Sequence, residues 1–201
     1  MFALVESESI TKMLNGNKGI TLGDTQYPRS IFNLWTEAER NAIGIYTIVY
    51  DDTNKRNTQW YTNTDQSFAF ANNTVTATYG SATAKAHADT LFTAQDETDG
   101  LGTEGEVATR GLKYHLIKDV KLNAAVELAR TDWYVVRKSE ESTAIPSAIT
   151  THRRLVRSRQ AAMETAITNA SDTPALETLY TYTKDSDGVS SRPLPEIPTL
   201  N

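Results

Sequence analysis

The sequence predicts an α+β protein: a small antiparallel β-rich unit first, a helical hairpin after it, and an extended C-terminal tail. Three observations predict this. Short β-branched and aromatic runs, punctuated by glycine and asparagine, fill the first 80 residues. Two apolar stripes at helical spacing, Leu112 to Leu128 and Ile149 to Ile167, fill the middle. Prolines at 193, 195 and 198 then deny the end of the chain the amides that a central strand needs. The expected divisions are residues 1–80 for the β-rich unit, 81–170 for a helical region with an acidic loop at 95–106, and 171–201 for a short strand and the proline-rich tail.

Phe2 and Leu4, with Ile10 beyond them, alternate with polar neighbours, and Ile20-Thr21-Leu22 is bounded by Gly19 and Gly23; both read as short strands. Pro28 holds Tyr27 extended. A short helix is expected next, because Thr36 and Glu39 have capping-box spacing and Gly44 supplies a stop. Ile45 to Tyr50 is a strand ending in the turn Asp51-Asp52-Thr53-Asn54, and Trp60-Tyr61 opens another extended stretch. Phe68 and Phe70 before Asn72-Asn73, with Val75, Ala77 and Tyr79 after it, make a hairpin. Its threonines belong on a solvated face, which predicts a meander with one core side.

From Ala82 an alanine-rich run predicts helix, decaying at Gln95 into a solvated, mobile acidic loop that holds Asp96, Glu97, Asp99, Glu104 and Glu106. Leu112, Leu116, Val120, Ala124 and Leu128 recur at four-residue steps and predict a long amphipathic helix ending near Arg130. Thr131-Asp132 offers a new cap, and Pro146 suits the first turn of a further helix whose stripe is Ile149, Leu155, Val156, Met163 and Ile167. The two long helices are expected to pair as a hairpin. Leu176 to Tyr182 reads as a strand, turning at Asp185-Ser186-Asp187-Gly188.

Composition excludes several chemistries. With no cysteine, disulfides, thiolate metal sites and thiol nucleophiles are ruled out. Twenty basic against 25 acidic side chains leave a net charge of −5, the wrong sign for a chain whose main task is neutralising phosphates, so no nucleic-acid partner is expected. No apolar run reaches a membrane span and the N-terminus lacks a signal core, so the chain is expected to be soluble, unprocessed and free of a membrane partner.

The motif search predicts no cofactor, no metal and no catalytic residue. His87, His115 and His152 are far apart in sequence, without metal-site spacing. Gly16 to Gly23 lacks the phosphate-loop pattern, and no G-x-S-x-G elbow occurs. The adjacent carboxylates Asp51/Asp52 and Glu140/Glu141 read as solvated turns. In the basic run His152 to Arg159, Arg153 and Arg157 share a helical face that is able to follow phosphates; on an acidic chain, pairing with carboxylates is the stronger reading. Trp133 and Tyr134 fit core packing and interface anchoring equally. The tail, with little apolar pattern, is either disordered or laid along a neighbour.

Two stretches carry a resemblance. Residues 1–80, with Met1-Phe2-Ala3-Leu4-Val5-Glu6, Gln26-Tyr27-Pro28, Ile31-Phe32, Trp35 to Arg40 and Ile43-Gly44-Ile45-Tyr46 in that order, resemble the N-terminal module of small tail-region proteins of marine tailed bacteriophages. Leu128-Ala129-Arg130-Thr131-Asp132-Trp133, followed by Ile149 to Arg157, is similar to the motif of phage tail assembly chaperone and tail-fibre assembly proteins. There a leucine-rich helix ends in Thr-Asp-Trp, and the next helix carries an aromatic-Arg pair and a second Arg. Here His152 stands where an aromatic is usual, and Val156-Arg157-Ser158-Arg159 replaces a Leu-Arg-Asp-like ending.

The resemblance implies a non-enzymatic virion structural protein of the tail, baseplate or tail fibre, located in the particle and assembled in the host cytoplasm. Its partners would be other phage virion proteins and copies of itself. The alternative is an assembly chaperone that leaves before maturation. A hydrolase or lyase acting on host-surface glycans is a third reading, and needs paired carboxylates in a cleft. The interface candidates are Trp133 and Tyr134, the arginines Arg153, Arg157 and Arg192, and Pro193, Leu194, Pro195 and Ile197 of the tail.

Overall fold

The computed structural model describes residues 1–200 and is α+β, with a β-sheet region followed by helices. Two compact units divide the chain, Met1–Thr83 and Ala84–Asn201.

In the first unit, β1 (Phe2–Glu6) and β2 (Ser9–Leu14) form a hairpin whose turn residues Ser7 and Glu8 take φ of 49° and 60°. Next come a second hairpin, β3 (Ile20–Leu22) and β4 (Thr25–Tyr27), and two short helices, α1 (Ile31–Leu34) and α2 (Glu37–Asn41). The expected capping box on α2 is complete: Thr36 accepts from the Glu39 N–H, and Glu39 accepts from the Thr36 N–H at 2.8 Å. Gly44 then turns the chain at φ 79°; a Cβ there would lie 2.7 Å from the Val5 carbonyl oxygen. Only glycine fits both constraints.

β5 (Ile45–Asp51), the two-residue β6 (Tyr61–Thr62), β7 (Gln66–Ala71), β8 (Thr74–Tyr79) and β9 (Thr83–Ala84) complete the strands of this region. The β7–β8 hairpin turns at Asn72 and Asn73 with φ of 50° and 59°, the left-handed pair that asparagine tolerates. The main sheet has the order β2-β1-β5-β8-β7.

Two expectations about this sheet are corrected. It is mixed, not purely antiparallel, because β5 runs parallel to β8 with Ile48 opposite Val75. Residues 52–73 form a connection long enough to carry the chain across the sheet and bring it back in the same direction. It is also apolar on both faces instead of one. Leu4, Leu14 and Ile45 join Ile20, Ile31 and Phe32 in one cluster, while Ala3, Val5, Ile48, Val75 and Ala77 form another with Phe68 and Phe70 beside it. Adjacent residues of β1 therefore feed opposite clusters, as the pleat requires.

The second unit departs from the sequence reading in three places. The alanine-rich run from Ala82 is not a helix. It is extended into β10 (Thr90–Leu91), because its backbone serves the next long helix: Ala86 and His87 carbonyls accept the N–H groups of Leu112 and Lys113 at 3.0 Å, and Asp89 Oδ1 accepts that of Gly111 at 2.8 Å. Three amides at the start of the helix are thus satisfied by tertiary contact, which overrides alanine propensity. The acidic loop contains a helix, α3 (Ala94–Thr98), capped reciprocally by Thr93 and Asp96, before β11 (Val107–Thr109) pairs with β10.

α4 (Leu112–Ala129), α5 (Asp132–Glu141) and α6 (Ser147–Asn169) follow. α4 and α6 pack antiparallel, as Lys113–Thr168, Lys121–Glu164 and His152–Glu127 contacts run down the pair in opposite directions. Leu116, Val120 and Ala124 are buried on α4, and Ile149, Val156, Met163 and Ile167 on α6; Leu155, expected in that stripe, is exposed. The third departure is Leu176–Tyr182. This segment belongs mainly to a helix, α7 (Thr173–Tyr180), not a strand, because Asp172 caps the Ala175 N–H at 2.8 Å and Pro174 sits in the first turn. The pair β12 (Thr183–Lys184) and β13 (Ser190–Ser191) leads into the tail.

Candidate protein-interaction site

The α4–α5 corner concentrates the chain's buried polar groups. Helix α4 ends because Thr131, at φ −121° and ψ 8°, leaves helical geometry, and its hydroxyl donates back to the Leu128 carbonyl at 3.0 Å. Arg153, buried on α6, locks that shape. Its Nη1 donates to Leu128 O at 2.8 Å, Thr131 Oγ1 at 2.7 Å and Asp132 Oδ1 at 2.8 Å. Nη1 carries two hydrogens, so the three acceptors share them, with at least one hydrogen bifurcated between two oxygens.

A second cluster lies beside it. Glu127 is buried; its Oε2 accepts from Arg130 at 3.0 Å, and its Oε1 accepts from His152 Nε2 at 3.0 Å and from the Leu200 N–H at 2.7 Å. Burial pushes the Glu127 carboxyl up, but the bonds from Leu200, Arg130 and His152 outweigh it and hold it below the ordinary value. Arg130 also donates to Leu200 O at 3.2 Å, so both backbone polar groups of Leu200 are tied to this corner.

Outward from the corner stands an aromatic ledge. Trp133 and Tyr134 stack with ring centroids 3.8 Å apart, and the Arg137 guanidinium lies 4.8 Å from the Trp133 ring centre and 5.4 Å from that of Tyr134. Helix α5 buries none of its own residues. Trp133 is half exposed, so the ring is not core of this chain.

The nine interface candidates separate. Trp133 and Tyr134 sit together on the ledge. Arg153 turns inwards to the Thr131-Asp132 corner, as expected of an arginine that pairs within an acidic chain, so it does not share an open cationic face with Arg157. Arg157 is exposed on an open groove of α6 that also holds Gln160 and Glu164. The tail is ordered against its own unit instead of being free for a neighbour. Leu194 is fully buried and its N–H donates to Leu179 O at 3.0 Å, so this side chain is withdrawn from any external contact. Arg192 lies over Tyr180 and Tyr182 and pairs with Glu196 at 3.7 Å, while Tyr182 donates a short hydrogen bond to Glu196. Pro195 and Ile197 are half-buried and Pro193 is exposed.

Sequence reasoning missed Glu127 and the exposed Leu122 and Val126. Both signals were present: Glu127 falls three residues after Ala124, on the buried stripe, and Leu122 and Val126 fall on the opposite side of α4. In the first unit a cleft of about 570 Å³ is lined by Lys12, Leu14, Gly16, Lys18, Ile20 and Phe32 among others, with no carboxylate. A glycan-cleaving site of the paired-carboxylate kind has no foothold there. Among the described residues no group of three metal-ligating side chains occurs, and no helix is long and apolar enough to cross a membrane.

No family model, curated protein or solved structure matches the chain.

Proposed function

We propose that the chain is a non-enzymatic structural protein of a bacteriophage particle, associated with the tail, baseplate or tail fibre, and that it works through protein–protein contacts. The observation that carries this reading is the ledge: a stacked Trp133–Tyr134 pair, braced by Arg137, on a helix none of whose residues is fully buried. Large aromatics and arginine are the residue types that anchor interfaces, and rigid presentation lowers the ordering cost of binding. The resemblance of residues 1–80 and of Leu128–Trp133 to phage tail-region proteins supports the setting. Within that second stretch buried Thr131 and exposed Asp132 both accept from Arg153 and Trp133 turns outwards, so the shared residues make and display the corner.

Quantitative mass spectrometry of purified particles, scaled against the major capsid protein, tests the reading. Stoichiometric presence supports a virion component. Absence from particles, with the protein abundant in the infected-cell lysate, overturns it in favour of the assembly chaperone.

A further inference from the structure

Asn15 is the only asparagine of the chain that a glycine follows. The fold demands the glycine. Gly16 sits just past β2 at φ 70°, and a Cβ there would lie 3.1 Å from the Phe2 ring and 3.3 Å from Phe32 Cβ. Nothing in the fold demands the asparagine. Asn15 is exposed, and its side chain makes one hydrogen bond among the described residues, accepted at Oδ1 from the Asn17 N–H at 3.3 Å. The Gly16 N–H makes no hydrogen bond among the described residues, so no acceptor holds its proton back from solvent.

We infer that Asn15-Gly16 is a self-modification site, at which the Gly16 amide nitrogen attacks the Asn15 carboxamide and turns the asparagine into isoaspartate and aspartate without an enzyme. Hydroxide takes the Gly16 amide proton, and the nitrogen forms a bond to Asn15 Cγ. Charge builds on Oδ1, the oxygen at which the Asn17 N–H is already aimed. The Cγ–Nδ2 bond then breaks, Nδ2 leaves as ammonia after taking a proton from water, and a five-membered succinimide remains. Water adds to one of the two ring carbonyls. Addition at Cγ breaks its bond to nitrogen and leaves aspartate. Addition at the main-chain carbon breaks the original peptide bond and leaves isoaspartate, in which the chain runs through Cγ. One water is consumed and one ammonia released, and nothing is oxidised or reduced. The reacting atoms belong to adjacent residues, which removes most of the entropic cost of bringing them together, and a glycine has no Cβ to crowd the approach.

The product changes the first unit's cleft. Asn15 lines it together with Lys12 and Lys18, neither of which forms an ion pair among the described residues. The reaction therefore adds a carboxylate beside two lysines, where opposite charge stabilises it. Isoaspartate also lengthens by one main-chain atom the connection that packs Gly16 against Phe2 and Phe32. The site lies in the first unit and stands without the virion reading.

The test holds the full, folded chain at neutral and at mildly alkaline pH and follows it by peptide mass spectrometry, beside the free peptide Met13–Lys18. Asn15 is expected to convert at least as fast in the folded chain as in the peptide, faster than any other asparagine, and faster at the higher pH. Isoaspartate is expected as well as aspartate, with one ammonia per converted chain. Asn15→Gln, which would have to close a larger ring, is expected to fold and melt as the native chain does and to release no ammonia on the same timescale. An Asn15 that stays intact in the folded chain overturns the inference, whether or not the peptide converts. So does a second asparagine converting equally fast, or aspartate as the sole product, which direct hydrolysis would give.

Discussion

Arg153 reaches from the second turn of α6 to Asp132, the first residue of α5, with Nη1 2.8 Å from Oδ1. The same nitrogen serves Thr131 and the Leu128 carbonyl, so one side chain determines where α4 stops and α5 starts. Arg153→Leu strands those acceptors and is expected to cost about 1.5–3 kcal/mol, the range for hydrogen bonds to a charged group. Thermal melting checks it. Arg153→Lys should recover only part of the loss, since its ammonium sits on a shorter, more flexible stem than the guanidinium that reaches the three acceptors.

Trp133 behaves oppositely. A core tryptophan truncated to alanine loses about 3–5 kcal/mol. Exposed on α5, Trp133→Ala is expected to shift stability by no more than about 0.5 kcal/mol. Its effect should appear as reduced incorporation into particles, measured by quantitative mass spectrometry; a melting point lowered on the core scale would show that the ring packs within the chain.

The tail is structural to its own unit. Leu194 is fully buried, so Leu194→Ala is expected to cost about 2–5 kcal/mol. Removing residues 192–201 should destabilise the helical unit further, because it also strips Leu179 O and Glu127 of backbone donors. Limited proteolysis of the α6–α7 region reports the loosening.

Acid should loosen the Glu127 corner. Its carboxyl is held below the ordinary value in the folded chain, so the stability it contributes is present in full above the usual carboxylate range and is lost as pH falls through the folded value. Asp89 is lowered as well, first by the Gly111 N–H and then by Arg110, and adds in the same direction. Denaturant titrations from neutral pH down to about pH 3 should show Glu127→Gln losing less stability than the native chain over that acid window.

Local chemistry was legible wherever neighbours in sequence are neighbours in space. The Thr36–Glu39 box, the Asn72-Asn73 turn, the Gly44 stop and the helical stripes of α4 and α6 each depend on residues within a turn or two of one another. Such patterns are written in the chain itself. The Asp172 cap with Pro174 was equally local, yet the β-branched and aromatic run after it reads the other way; the cap, with Leu176 packed at zero exposure, made the segment helix.

Tertiary structure alone decided three things. It made residues 86–89 an extended cap for α4, because satisfying buried amides outweighs the small propensity of alanine for helix. It set β5 parallel to β8, because alternation assigns faces and says nothing of which strand lies alongside. It drew Glu127, His152, Arg153 and Leu200 together from segments as far as 73 residues apart, turning Arg153 inwards and leaving Trp133 outside. Periodicity marks which residues lie on a helix face, while the identity of what covers that face depends on contacts whose sequence separation carries no local signature.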